Sequence, residues 1–136
     1  MKDYAFSLAK VLDVRRAEAD ARARELAEAL RAKAAQERKI EGLAAEEQRA
    51  RQVKRAVLER AQVVAELLHA QRYLEAVGRR VAQEREELAR HEAAVASRRS
   101  AVTAAMQSVR ALERLDERRR EEWELESRRM ESRGAV

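Results

Sequence analysis

Residues 74–112 read LEAVGRRVAQEREELARHEAAVASRRSAVTAAMQSVRAL, and in them Leu74, Val81, Leu88, Val95, Val102 and Val109 recur every seven residues without exception. A seven-residue repeat of branched apolar side chains keeps one narrow stripe on the same side of an α-helix, which is the seam of a coiled coil. Val77, Ala105 and Leu112 widen the stripe from its flank. Working back toward the N-terminus, a second seam runs through Leu12, Ala19, Leu26, Lys33, Ile40, Glu47, Lys54, Ala61 and Leu68, with Leu8, Ala29, Leu43, Ala50, Val57 and Val64 at the companion positions. This seam carries polar interruptions at Arg15, Arg22, Lys33 and Glu47. The two seams are out of phase, because Leu68 and Leu74 stand six residues apart rather than seven. A break or phase shift therefore lies between them.

Composition supports helices and little else. Of 136 residues, 40% are Asp, Glu, Lys or Arg; 46% are hydrophobic, with alanine the commonest, and only Tyr4, Phe6, Tyr73 and Trp123 are aromatic. So few large apolar groups cannot offset the ordering entropy of a globular interior at roughly 25 cal/mol per Å² buried. Proline is absent and glycine occurs only at 42, 78 and 134, so the residues on which turns depend are almost missing. Ala, Arg, Glu, Leu and Gln lose little rotamer freedom in a helix.

Each seam needs a facing helix to bury it. One unbroken helix of this length, rising 1.5 Å per residue, would extend about 200 Å and need a partner along all of it. An antiparallel hairpin needs none. The expected fold is therefore all-α: a long antiparallel two-helix coiled-coil hairpin, monomeric when free. Its first helix is expected over about 4–50, the turn within about 48–61, where Lys54 occupies the seam, and the second helix over about 62–132. A plain parallel dimeric rod is the alternative.

Charge is unevenly distributed. Residues 1–48 hold ten basic and ten acidic side chains, whereas 49–60 (RARQVKRAVLER) hold five basic and one acidic, and 93–112 hold three arginines and no acid. A solvated helix face accounts for such runs, and an acidic partner surface is the competing reading. Nucleic acid is not expected, because readers of single strands interleave aromatics for stacking and none is interleaved here. No apolar run is long enough to span a bilayer, and Lys10 and Asp13 interrupt what would be a signal peptide's apolar segment, so a soluble cytoplasmic protein is expected.

Chemistry-bearing patterns are missing. There is no cysteine and no glycine-rich phosphate loop, and His69 and His91 stand 22 residues apart without a helically spaced second ligand. No nucleophile, base and orienting group come together, so no enzyme activity and no metal or other cofactor is expected. The Glu and Arg pairs, such as Glu87 with Arg90, read as helix support.

Both ends carry a pattern. The opening YAFSLAKVLDVRRAEADARARELA, with Phe6, Leu8, Val11, Leu12 and Arg15, the close VRALERLDERRREEWELESRRM, with Leu112 and Leu115, and the middle QRYLEAVGRRVAQEREEL resemble the FliJ family of flagellar type III export proteins. That resemblance implies a hairpin similar to the rotor stalk of rotary ATP synthases, entering the hexameric ring of the export ATPase. It implies two further partners, the cytoplasmic part of the export gate and export chaperones, and peripheral association with the inner-membrane export apparatus. The corresponding stalk of a virulence secretion system would share these features. In the family, a gate-binding face starts at an aromatic in the early second helix. Tyr73 matches that aromatic and Val77, Arg80 and Glu84 follow on the same face, although Arg80 and Glu84 depart from the small and imidazole-bearing residues the family pattern implies. Simple packing near the turn is the competing account of Tyr73 and Val77. Gly78 suits either close approach of another backbone or tolerated drift, and Trp123 is expected to pack on the N-terminal segment, with a contact to a partner as the alternative. Arg118, Arg119 and Arg120 are expected to lie near acidic residues of the ring's pore.

Overall fold

A computed structural model describes residues 3–60 and 63–134. Two helices account for nearly all of them: α1, Ala9–Arg60, and α2, Val64–Gly134. They pack against each other as an all-α helical hairpin, with no strand among the described residues. The chain divides into two compact units whose boundaries fall inside the helices. Unit 1 joins residues 1–26 to 97–136, and unit 2 is residues 27–96.

Unit 2 contains most of the buried apolar surface. Leu43, Ala50 and Val57 of α1 and Ala70, Val77, Val81 and Val95 of α2 are buried. These are the seams expected from the heptads, except that the second begins at Ala70. Burying one valine contributes about 1.5 to 3 kcal/mol, so a short run of them holds two helices together. The helices run antiparallel here: Gln36 and Lys39 meet Glu84, while Glu46, further along α1, meets Tyr73, earlier on α2. No large side chain is completely enclosed among the described residues, since two helices cannot surround one.

The first helix outruns its expected end. Helical structure continues through Gln48–Arg60, and the break falls at the far edge of the expected window; Ala61, in that window, and Gln62, the expected start of the second helix, lie outside the described residues. Lys54 did not end the helix because a lysine in a seam lays its stem along apolar neighbours and keeps its ammonium in water. Arg60, in the last turn, also complements the helix dipole. The extension of the first seam to Val64 and Leu68 fails. Both are exposed, because α2 re-enters the interface in a new phase through Ala70, Leu74 and Val77.

Unit 1 is assembled differently. Among its described residues only Leu12 is a buried apolar side chain, and surface pairs Arg16–Glu113 (3.9 Å) and Glu25–Arg98 (3.3 Å) mark the same antiparallel sense. Exposed pairs of this kind contribute about 1 kcal/mol at most. Residues 3–6 are not helical, so α1 starts at Ala9 rather than near residue 4. The aromatic side chains of that segment lie against α2 instead. Tyr4 meets Trp123 with ring centroids 6.1 Å apart, Arg120 stacks 4.9 Å from the Tyr4 ring and Arg119 5.7 Å from the Phe6 ring. Arg119 also donates to the Ser7 hydroxyl, and the Tyr4 hydroxyl donates to the Asp116 carboxylate. Trp123 thus packs on the N-terminal segment, as expected.

Candidate partner-binding surface

The four residues expected to form one binding face separate into two environments. Tyr73 is 46% exposed, whereas Val77 is 2% exposed and belongs to the seam of unit 2. Arg80 is exposed and Glu84 is partly covered. The spacing of 73, 77, 80 and 84 follows one helical stripe, but that stripe lies along the border between the seam and solvent. Its members therefore alternate between inside and outside.

Tyr73 is held by its hydroxyl, which donates to Glu46 Oε1 at 2.6 Å. This hydrogen bond, and next the partial desolvation of the ring, push its phenol above the usual 10.0, while Arg49 and Arg80 act against them. The side chain is oriented but not buried. Beside it Val53, Val57, Ala65, His69 and Ala70, with the charged Arg60 and Glu66, line an open groove of about 630 Å³. Segment 63–77 thus presents two surfaces, one through Tyr73 and the groove, and one through Val64 and Leu68.

Glu84 faces α1. Its Oε2 accepts from Gln36 Nε2 at 2.6 Å, and the same amide donates to the Glu84 backbone carbonyl at 2.9 Å. Lys39 Nζ reaches Oε1 at 3.0 Å. The Gln36 hydrogen bond first, and then Lys39, hold this carboxyl below its usual 4.5. Gln36 is the one buried polar residue among the described residues, and heptad reading passed over it. It occupies the companion position midway between Ala29 and Leu43, where its amide was the available signal. A seam amide of this kind specifies register, because sliding the helices would leave it buried without a partner.

Other expected features fall elsewhere. Arg119 and Arg120 stack on the N-terminal segment, and all three of Arg118, Arg119 and Arg120 remain exposed. His91 stands 3.9 Å from Glu87, His69 lines the groove, and no cluster suited to a metal occurs among the described residues. No described helix is long and apolar enough to cross a membrane. A methyl group built on Gly78 would meet only Glu47 Oε2 at 3.8 Å, so no close backbone accounts for that glycine.

One comparison with known proteins is informative. The family model described as "Flagellar FliJ protein" matches residues 4–134. No curated protein and no solved structure matches.

Proposed function

The chain belongs to the FliJ family, a component of flagellar type III export, and from that premise we propose that it is the stalk linking the export ATPase to the export gate. In this reading unit 1, which holds both chain ends, enters the central hole of the ATPase hexamer, and unit 2 presents Tyr73 to the cytoplasmic part of the gate. Export chaperones are the third class of partner, and peripheral association with the inner membrane follows from the gate. The chain acts by binding and carries no chemistry of its own. The exposed Tyr73, oriented by Glu46, is the observation that carries the gate contact. Arg80 shares that side, whereas Val77 and Glu84 contribute by holding the helix in register.

One experiment tests both contacts. Deleting residues 113–136 is expected to abolish stimulation of the ATPase, because it removes the part of unit 1 assigned to the ring. Tyr73→Ala is expected to leave helix content and thermal midpoint nearly unchanged, as surface replacements do, and to weaken gate binding about thirtyfold. It should spare ATPase stimulation. Stimulation that survives the deletion, or a Tyr73→Ala protein that binds the gate as tightly as the parent, would sink the corresponding contact.

A further inference from the structure

The N-terminal segment of unit 1 is tied to α2 by side chains alone. Residues 3–6 are not helical, and among the described residues no backbone hydrogen bond joins them to α2; the Phe6 carbonyl accepts from Ala9 N–H at 3.1 Å, which leads into α1. Instead the half-buried rings of Tyr4 and Phe6 lie 4.9 Å from the Arg120 guanidinium and 5.7 Å from that of Arg119, and Arg119 Nη1 donates to the Ser7 hydroxyl at 2.8 Å. Both arginines stay exposed. A guanidinium covered on one face keeps its N–H donors in its own plane, so stacking fixes its direction and leaves its donor edges for other groups.

The helix offers these arginines a partner of its own. Asp116 stands three residues before Arg119 and four before Arg120, the spacings at which a carboxylate and a guanidinium on one helix pair. That carboxylate accepts from the Tyr4 hydroxyl instead, and none of the ion pairs formed among the described residues includes Asp116, Arg119 or Arg120. Tyr4 thus directs Arg120 with its ring and occupies the competing carboxylate with its hydroxyl. We propose that Tyr4 and Phe6 are positioning residues, which hold Arg119 and Arg120 ready for the carboxylates of an acidic partner surface. A planar fork of donors matches both oxygens of a carboxylate, and a fork already fixed loses less freedom on binding than a loose one. This deepens the ring contact and rests on the placement of unit 1 in the ATPase, whose pore would supply the acidic surface.

A double-mutant cycle on the full chain tests this, read as the concentration giving half-maximal ATPase stimulation at a temperature where circular dichroism shows every variant helical. Arg119→Gln with Arg120→Gln is expected to raise that concentration about tenfold, since an exposed charge pair contributes up to roughly fivefold. Tyr4→Leu keeps apolar bulk but removes ring and hydroxyl, and should raise it about threefold, as the freed arginines must then be ordered on binding. In the background of the two arginine changes Tyr4→Leu should add nothing, whereas a merely structural role would cost the same in both backgrounds. Tyr4→Phe keeps the stack but releases Asp116, so it should weaken stimulation, and Asp116→Asn should restore it there while changing the Tyr4 chain less. Anisotropy of fluorescein-labelled poly-glutamate repeats the cycle without the ATPase. Equal cost of Tyr4→Leu in the two backgrounds, or poly-glutamate binding that ignores the arginine changes, would overturn the proposal. Stimulation that survives deletion of residues 113–136 while the poly-glutamate cycle holds would sink the ring placement alone and assign the held arginines to another acidic partner.

Discussion

Unit 1 and unit 2 are made of similar alanine-, arginine- and glutamate-rich helices, yet they close by different means. Unit 2 holds seven of the eight buried apolar residues found in the described chain, all of them Leu, Val or Ala, so it closes by an aliphatic seam with one amide, Gln36, fixing register. Unit 1 has Leu12 alone and closes by wrapping Tyr4 and Phe6 onto Trp123, Arg119 and Arg120. Two helices with small seam residues enclose little, so where the seam weakens, large flat side chains and guanidinium stacking supply contact area that valine and alanine cannot. Three of the four aromatics lie in unit 1, where they do this. Tyr73, the fourth, lies half exposed in unit 2, which already has its seam, and this is why the proposed gate contact is placed on it.

The largest expected effect falls on the seam. Val77→Asp places an unpaired carboxylate at a position 2% exposed and is expected to cost about 3 kcal/mol or more, read as a lowered thermal midpoint by circular dichroism. Trp123 fluorescence reports unit 1 separately. If Trp123 emission follows the helix signal in that variant, the two units unfold as one block, and if it does not, they are energetically distinct. An unchanged midpoint would return Val77 to the partner-binding face.

Next comes the aromatic closure of unit 1. Tyr4→Ala is expected to lower the midpoint by about 5 °C, an order-of-magnitude figure for losing a stacked aromatic in a domain of this size. It should also shift Trp123 emission to the red, because the ring 6.1 Å from Tyr4 loses its cover. Tyr4→Phe should keep most of the stacking and alter the pH response. Partial burial first, and then the hydrogen bond and charge of Asp116, raise the Tyr4 phenol above the usual 10.0. A folded-state value above the unfolded one means that the stabilisation is fully present below pH 10 and is lost as pH rises through the raised value. Glu84 in unit 2 has the opposite sign: its lowered carboxyl contributes stability above 4.5 that disappears as pH falls through the folded value. Tyr4→Phe should therefore flatten the alkaline limb of Trp123 emission, and Glu84→Gln the acid limb of the midpoint profile. An alkaline limb that persists in Tyr4→Phe would assign it to another group.

The smallest effect is a gain. Gly78→Ala removes a flexible residue from a helix interior and is expected to stabilise unit 2 by about 1 kcal/mol, since its new methyl meets only the far end of the Glu47 side chain. A stable variant that has lost gate binding would show instead that Gly78 is kept open for a partner's backbone.

Periodicity and composition sufficed for the all-α hairpin and the out-of-phase seams, because each depends on residue spacing or residue type. Which members of a stripe are covered was beyond them. Tyr73, Val77, Arg80 and Glu84 share a helical face by spacing, but whether that face lies inside, outside or along the border depends on the rotation of α2 about its own axis. The facing helix sets that rotation through Gln36 and Glu46. The end of α1 escaped for a related reason, since no proline or glycine marks the break and a lysine in the seam does not terminate a helix. The start of α1 at Ala9 was likewise not marked by periodicity: residues 3–6 are Asp, Tyr, Ala and Phe, three of them modest helix formers, and Tyr4 and Phe6 lie instead against Trp123, Arg119 and Arg120. Local propensity and periodicity are properties of one segment and can be read from it, whereas exposure is a property of two segments in contact and exists only once they have met.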